Sequence, residues 1–263
     1  MVEYAKRPIA VTASAPLVIG ATGGSGTRVV ARIARHAGYD LGRNVNSAED
    51  ALEFYSFHDK WINRYVGAEC HGGRLSDAQL GRMKLEFQSA LDRYRPSSSQ
   101  SAQWGWKAPR TIYLLSFLCG QFPDLKFIHI IRDGRDMALS GNQNQLNKHG
   151  AAVLSWPERL FRSRAERSIL LWERVNLHAA ELGESKLNQN YLRVRFEDLC
   201  ANPVEITARI VNFLGARIDP ESIARAEISP PSTLQRWRTY PPMLIAKLER
   251  LSANSLRKFG YLA

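Results

Sequence analysis

Short apolar runs alternate along the chain with segments whose apolar residues recur at helical spacing. The runs predicted to be buried strands are residues 16–20, 103–107, 126–131 and 191–195. The predicted helices are 27–36, 76–94, 110–120, 133–145, 155–182, 203 to about 215, and 241–258. Strands that alternate with helices predict an α/β fold with three layers, in which a parallel sheet is flanked by helices on both faces.

The 263-residue chain has no internal repeat and no clear interdomain linker. Because 44% of its residues are hydrophobic, it can bury a substantial core, and we expect a single domain over residues 1–263. A polar segment at 95–102 is predicted to be a surface loop. The N-terminal segment lacks the apolar region of a secretion signal, and no run is long enough to span a bilayer. We therefore expect no stable membrane insertion.

The net charge of +11 favours an anionic partner, such as nucleic acid, a membrane surface or a multiply phosphorylated small molecule. The three cysteines, Cys70, Cys119 and Cys200, form neither a CxxC pair nor a cluster with histidines. This argues against a disulfide framework and against a bound metal, and it predicts a cytoplasmic protein.

A glycine-rich loop, Gly20-Ala-Thr-Gly-Gly-Ser-Gly-Thr-Arg28, joins the first predicted strand to the first predicted helix. In an open parallel sheet, ligands bind at such a junction. Glycines let several backbone N–H groups face one anion, and the helix N-terminus adds about half a positive charge. Ser25, Thr27 and Arg28 can donate further hydrogen bonds. The loop therefore predicts a phosphate or sulfate site.

Neither common nucleotide pattern fits this loop. In the pattern GxxxxGK[ST], Thr27 occupies the position of the lysine. The pattern GxGxxG fails because Gly24-Ser-Gly26 is followed by Val29 where the third glycine should stand. The loop by itself thus indicates an oxyanion but not the molecule that carries it.

A second motif, Ile131-Arg-Asp-Gly-Arg-Asp-Met-Ala-Leu-Ser140, follows the third predicted strand. Arg132 stands at the carboxyl end of that strand, and a helix beginning near Asp133 would place Ser140 about two turns further on. One phosphate could then bridge the Arg132 guanidinium and the Ser140 hydroxyl. Alternatively, the charged residues of this motif only solvate the start of a helix.

Together, the two motifs resemble the sulfotransferase family that uses 3′-phosphoadenosine 5′-phosphosulfate (PAPS). Gly23–Thr27 is similar to the family's 5′-phosphosulfate loop, and Arg132 and Ser140 have the spacing of its 3′-phosphate motif. Residues 122–132 and 194–199 are also similar to family segments, so the resemblance covers about 16–215. It implies a P-loop-like fold, PAPS as co-substrate without a metal, and in-line sulfuryl transfer to an acceptor hydroxyl or amine.

The resemblance also assigns residues to the donor site. Segment 232–238 resembles a late family segment whose basic residues close over the 3′-phosphate, with Arg236 and Arg238 as candidates. The predicted donor-binding residues are Gly23, Gly24, Ser25, Gly26, Thr27, Arg28, Arg132, Ser140, Arg236 and Arg238.

One catalytic cation is missing, since Gly24 stands where the family's loop carries a lysine or arginine. Removing a comparable donor costs about 3 kcal/mol of transition-state stabilisation, so we expect a substitute elsewhere. Lys107 lies two residues before Pro109, at the position of a catalytic histidine or lysine in related enzymes. We hypothesise that Lys107 stabilises the sulfuryl oxygens or the leaving group.

In the family, a glutamate that could act as general base often lies about 20 residues after the loop. In this sequence the cluster of Glu49, Asp50 and Glu53 lies slightly beyond that distance. We favour Asp50 and then Glu49 as the general base, with His58 as an alternative. The same carboxylates could instead solvate a helix start.

Two other functions compete with this hypothesis. A P-loop kinase should carry a lysine after the last loop glycine and a strand-end aspartate for Mg²⁺, and a nucleic-acid-binding protein should carry a recognisable module. Neither feature is evident, so we expect no nucleic-acid partner. The acceptor is a sugar hydroxyl, a small metabolite or a peptide tyrosine, with carbohydrate or small metabolite favoured. The sequence indicates no oligomeric state.

Overall fold

Four parallel strands form one sheet in the order β2-β1-β3-β4 in the computed structural model, which describes residues 15–94 and 103–262. The strands are β1 (Leu17–Ala21), β2 (Gly105–Lys107), β3 (Lys126–Ile131) and β4 (Tyr191–Arg195). All four were expected from the sequence, although β2 is shorter than predicted. The predicted loop at 95–102 lies outside the described residues.

The side chains of the central strands alternate between two hydrophobic cores. Val18 of β1 and Phe127 of β3 belong to one core, whereas their neighbours Ile19 and Ile128 belong to the other. Because successive residues of a strand point to opposite faces, a strand that is apolar at every position must be covered on both sides. All five residues of β1 are buried.

Helices supply that cover. In the described part of the chain they are α1 (Thr27–His36), α2 (Tyr55–Cys70), α3 (Asp77–Tyr94), α4 (Leu115–Gln121), α5 (Gly134–Ala138), α6 (Asn144–Val153), α7 (Trp156–Phe161), α8 (Arg164–Leu182), α9 (Phe196–Ala201), α10 (Pro203–Leu214), α11 (Pro220–Glu227), α12 (Pro242–Leu251) and α13 (Ala253–Lys258). Short 3₁₀ turns occupy Leu52–Phe54, Pro109–Leu114, Asn188–Asn190 and Arg236–Thr239, and a π-helical turn occupies Gly183–Leu187.

The helices divide between the two faces of the sheet. Helices α1, α10 and α11 pack on the face that carries Ile19, while α2, α3, α4 and α8 pack on the face that carries Val18. A third cluster joins Ile131, the last residue of β3, to side chains of α5, α8, α12 and α13. The predicted three-layer α/β fold is therefore confirmed.

Three helices that the sequence predicts as continuous are interrupted. The helix predicted at 133–145 is limited to α5, and α6 begins only at Asn144, because the Gln143 side chain donates to the carbonyls of Met137 at 2.9 Å and Ser140 at 2.8 Å. Within 155–182, Ser163 forms a capping box with Glu166 and starts α8 anew. These breaks depend on side chains that bond the backbone, which helical periodicity does not reveal.

The third interruption falls within 241–258, where α12 ends and α13 begins on either side of the buried Ser252. The Ser252 hydroxyl donates to the Leu248 carbonyl at 3.0 Å. Helices α2, α9 and α11 and most of α6 were not expected. The apolar side chains of α2 include Phe57 and Trp61, which pack in the core.

We predict that Gly105→Ala destabilises the protein by about 2 kcal/mol. A Cβ at Gly105 would collide with the backbone carbonyl of Leu17 in the neighbouring strand β1, so β2 would have to move. Urea unfolding measures the change. The control is Gly81→Ala in α3, where a Cβ meets no atom within 4 Å and where alanine should add up to about 1 kcal/mol. Equal stability of the two variants would contradict the prediction.

Candidate active site

The glycine-rich loop leaves the carboxyl end of β1 and leads directly into α1. Gly24 and Gly26 have φ angles of 81° and 80°, a region that disfavours other residues. The ring of Phe196 lies where a Cβ of Gly26 would be. The buried Ser25 hydroxyl donates to the Thr22 carbonyl at 2.6 Å and closes the turn. The chain is thereby folded around the N-terminus of α1, as an anion cradle requires.

The loop opens into a cleft of about 640 Å³. The side of the cleft next to the loop is formed by β3, α9 and the chain after α11 through Arg132, Phe196, Ser229, Pro231 and Thr233. The other lining residues outside the loop and α1 are Ala48, Asp50, Tyr55, His58, Lys107, Ala108, Pro109, Arg110, Asn142, Asn144, Gln145 and Lys148. The volume is in the usual range for small-molecule sites.

Arg132 joins three parts of this cleft. Its Nη1 donates to the Gly24 carbonyl at 3.4 Å, while Nη2 donates to Asp136 Oδ2 at 3.0 Å and to the Thr233 carbonyl at 2.5 Å. The residue is buried, and its Nε has no hydrogen-bond partner among the described residues. Arg132 thus lies beside the loop, as predicted, with one donor free for an anion.

Asp136 is a site residue that the sequence analysis did not identify. Its completely buried carboxylate pairs with Arg132 and also accepts the backbone N–H groups of Gln235 at 2.8 Å and Trp237 at 3.0 Å. The hypothesis that these charges only solvate a helix start is therefore wrong for Arg132 and Asp136. Two Arg–Asp pairs in five residues were the signal that could have indicated a buried network.

The other proposed 3′-phosphate residues lie outside the cleft lining. Ser140 follows the end of α5, and its Oγ accepts the Asn142 N–H at 3.2 Å. Arg238 stacks on Trp237 with 4.8 Å between the guanidinium carbon and the ring centroid, and Arg236 is half-buried with an unpaired Nε. In the described structure, therefore, only Arg132 of these four predicted residues faces the cleft.

Lys107 and Asp50 form an ion pair in the cleft wall. The Lys107 ammonium is buried and donates to the Ala48 carbonyl at 2.7 Å and to Asp50 Oδ1. Asp50 Oδ2 also accepts the Tyr55 hydroxyl at 3.0 Å. Burial lowers the pKa of Lys107, while the Asp50 charge acts in the opposite direction. Burial and the Asp50 charge raise the pKa of Tyr55 to about 12. The two favoured catalytic residues are therefore in direct contact.

Glu49, the second candidate base, points away from the cleft. It has a φ of 65°, and its carboxylate pairs with Arg32 at 2.8 Å and Arg35 at 3.6 Å on α1. Arg28 lines the cleft, and its Nη1 reaches the Ser47 carbonyl at 3.5 Å. The adjacent carboxylates Glu49 and Asp50 thus have different surroundings, and only Asp50 faces the loop.

The end of the cleft beyond Lys107 is polar and cationic. Arg110 and Lys148 share Asp59, with Lys148 Nζ at 2.9 Å from its Oδ1. His58 lines the same end, and its Nδ1 has no hydrogen-bond partner in the described ranges. Burial, assisted by the nearby positive charges, lowers the pKa of His58 to about 3, so its imidazole is neutral at neutral pH. This makes His58 a weak proton acceptor.

Two other features of the described residues bear on the site. They contain no group of three or more His, Cys, Asp or Glu side chains arranged to hold a metal ion. None of their helices is both long enough and apolar enough to cross a membrane.

A loop that presents α1 to an anion, beside a buried arginine and a lysine–aspartate pair, defines an α/β enzyme of the P-loop-like class. The sequence matches the sulfotransferase family over residues 18–220. Since this match covers most of the chain, the protein belongs to the sulfotransferase family, and the kinase alternative is rejected. No curated protein sequence matches the chain.

Solved structures have the same fold at low sequence identity. The sulfotransferase domain of the Synechococcus PCC 7002 olefin synthase is 16% identical, with a TM-score of 0.55, over 98% of this chain and 100% of that one. The Alicyclobacillus acidocaldarius sulfotransferase is also 16% identical, with a TM-score of 0.53 over 94% of each chain. The sulfotransferase domain from the curacin biosynthetic pathway is 16% identical, with a TM-score of 0.53, over 95% of this chain and 99% of that one.

We predict that Asp136→Asn lowers the free energy of unfolding by about 3 kcal/mol, the loss expected when one partner of a buried ion pair is removed. The backbone N–H groups of Gln235 and Trp237 should exchange with solvent faster, because both bond this carboxylate. Urea unfolding and hydrogen exchange measure these effects. Asp124→Asn, at an exposed turn, is the control. Unchanged exchange at Gln235 and Trp237 would show that Asp136 does not hold this segment.

Proposed function

We propose that this chain, as a single domain over residues 1–263, transfers a sulfuryl group from PAPS to an acceptor hydroxyl. The observation that carries the proposal is the meeting of the Gly23–Arg28 loop, Arg132 and the Lys107–Asp50 pair in one cleft. The loop and Arg132 provide an anion-binding side. The lysine and the carboxylate provide a cation and a proton acceptor next to it.

The residues present fit the two anionic ends of PAPS. The loop and the N-terminus of α1 offer backbone N–H groups to the 5′-phosphosulfate. The Nε of the buried Arg132 has no hydrogen-bond partner among the described residues and is the donor proposed for the 3′-phosphate. Ser140, Arg236 and Arg238 would join them only after a rearrangement of the chain around residues 140 and 236.

PAPS supplies an activated sulfuryl group on a phosphate that can accept the developing negative charge. Lys107 is the cation that we assign to that charge, since the loop has Gly24 where relatives carry a basic residue and Lys107 ends the neighbouring strand β2. It is buried in the cleft wall, where charges interact more strongly than in water. We therefore assign to Lys107 the stabilisation of the sulfuryl oxygens or of the leaving oxygen.

Asp50 is proposed as the general base. Its carboxylate lines the cleft, and its Oδ2 also accepts the Tyr55 hydroxyl at 3.0 Å, which fixes the orientation of the carboxyl group. The acceptor hydroxyl would deliver its proton to Asp50 as its oxygen bonds to sulfur. Glu49 is engaged with α1 and His58 is a weak base, so neither is preferred.

The acceptor is proposed to be a carbohydrate or a small polar metabolite. The cleft lining includes the side chains of Tyr55, Arg110, Asn144, Gln145 and Lys148, which bear hydroxyl, guanidinium, amide and ammonium groups. Such a surface can bond the several hydroxyls of a sugar or a charged substituent. These hydrogen-bonding side chains are the support for this part of the proposal.

Adenosine 3′,5′-bisphosphate (PAP) should stabilise the protein against thermal unfolding by about 2.7 kcal/mol at 100 times its Kd. ATP with Mg²⁺ at the same concentration should have a much smaller effect. Arg132→Lys should weaken PAP binding about tenfold, because lysine lacks the guanidinium fork. Arg225→Lys, at an exposed arginine, should bind PAP normally. Stabilisation by ATP–Mg²⁺ alone would exclude PAPS as donor.

Lys107→Met should lower kcat by roughly 100- to 1,000-fold while PAP affinity changes little, because the cation acts on charge that develops in the transition state. Asp50→Asn should lower kcat about 100-fold. Radiolabelled PAPS measures transfer to the best acceptor from a panel of sugars, hydroxylated metabolites and tyrosine peptides, or to water if none reacts. The control is the exposed Lys186→Ala. Normal turnover by Lys107→Met would remove Lys107 from the mechanism.

A further inference from the structure

Helix α7 exposes three large apolar side chains to solvent. Trp156, Leu160 and Phe161 are 62%, 58% and 74% exposed. The rings of Trp156 and Phe161 meet edge to face, with centroids 6.1 Å apart. Of the seven large hydrophobic side chains that are exposed within the described ranges, these three lie on one helix of six residues. We call this set the α7 patch. Clustered exposure of this kind marks an interaction surface rather than ordinary surface composition.

The α7 patch is held rigidly by the fold. Glu158 accepts the Ser155 backbone N–H and hydroxyl, both at 2.8 Å, and pairs with Arg174 at 2.5 Å. Arg174, on α8, also donates to the Val153 carbonyl at 2.9 Å. Both ends of the connection between α6 and α7 are therefore fixed. The exposure of the aromatic rings follows from the way α7 is anchored, because its polar side faces the protein.

The surroundings of the α7 patch are cationic. Residues 156–167 contain four arginines and only two glutamates. Both glutamates are engaged, because Glu158 pairs with Arg174 and Glu166 pairs with Arg162 and Lys247 at 3.2 Å each. Arg159 and Arg164 are exposed and form no ion pair within the described part of the chain. The apolar side chains are thus bordered by positive charge that none of the described residues neutralises.

We propose that the α7 patch docks the protein on an anionic lipid bilayer, with Trp156, Leu160 and Phe161 entering the headgroup region. Aromatic and apolar side chains flanked by arginines are the combination that binds peripherally to such surfaces. The arginines would interact with anionic headgroups while the rings are removed from water. This is binding to the membrane surface, and it needs no spanning helix.

The size and composition of the α7 patch favour a bilayer over a protein partner. A stable protein interface buries about 800 Å² on each partner and uses roughly 20 to 30 residues of each. Three apolar side chains on a short exposed helix offer far less contact area. A bilayer surface does not require a complementary pocket, and unpaired arginines on the rim match its negative charge.

Docking at α7 would hold the cleft close to the membrane surface. Helix α6 carries Asn144 and Lys148 in the cleft lining and runs directly to α7. Ten helical residues span about 15 Å. An acceptor group carried on a lipid would then lie within reach of the cleft. The docking itself does not depend on the proposed reaction, so its test is separate from the tests of PAPS binding and turnover.

Co-sedimentation of the full chain with phospholipid vesicles tests the proposal. The protein should bind vesicles that contain about 30 mol% phosphatidylglycerol in phosphatidylcholine. It should not bind vesicles of phosphatidylcholine alone. Rising salt should weaken the binding. The variant Leu160→Ser with Phe161→Ser should need about tenfold more lipid for half-maximal binding. A cooperative thermal unfolding transition and a circular dichroism spectrum like those of the wild type report that the variant is folded.

The matched control is Leu85→Ser with Met243→Ser, which removes two exposed apolar side chains from other helices and should bind vesicles normally. Equal binding by the patch variant and the wild type would mean that net charge alone causes attachment, and it would overturn the proposal. Absence of binding to anionic vesicles would do the same. If light scattering showed a dimer that the patch variant abolishes, the occupant would be a second copy and the lipid assignment would be wrong.

Discussion

The buried guanidinium of Arg132 is the constraint on which the donor side of the cleft depends. A cation removed from water needs nearby acceptors, and here they come from three separate parts of the chain: the Gly24 carbonyl, the Asp136 carboxylate and Thr233. Satisfying one charge therefore brings together the loop after β1, helix α5 and the segment before α12. The hydrogen bonds that stabilise this buried charge therefore also hold the ligand-binding surface together.

The rest of the site follows from sheet order. Because β1 is central and all its neighbours are parallel to it, the carboxyl ends of β2 and β3 lie on either side of the glycine-rich loop. Lys107 ends β2, and Arg132 follows β3 directly. A strand order that reverses at β1 thus brings two cations from distant sequence positions to the same anion-binding loop, in agreement with the general location of ligands in open α/β sheets.

The structural features that the sequence predicted correctly are local ones. The strands, the loop and the carboxyl-end position of Arg132 are each specified by a few consecutive residues. Contacts between distant residues were not predictable, such as the bond from Asp136 to the Gln235 N–H, 99 residues further along the chain. The expected position of Ser140 rested on a continuous helix, and the Gln143 side chain ends that helix by bonding its last carbonyls. The sequence also does not show which of the adjacent carboxylates lines the cleft, because this depends on distant partners. Asp50 pairs with Lys107, whereas Glu49 pairs with Arg32.

The charges of Lys107 and Asp50 in the cleft wall neutralise each other. While the ammonium and the carboxylate hold each other, each is the other's counterion, and neither charge is available to a different molecule. An anionic group that takes Lys107 as its partner leaves the carboxylate without its strongest donor. Under the roles proposed above, a donor that contacts Lys107 frees one oxygen of Asp50 for the acceptor hydroxyl, so a single ion pair connects the donor half of the cleft with the acceptor half.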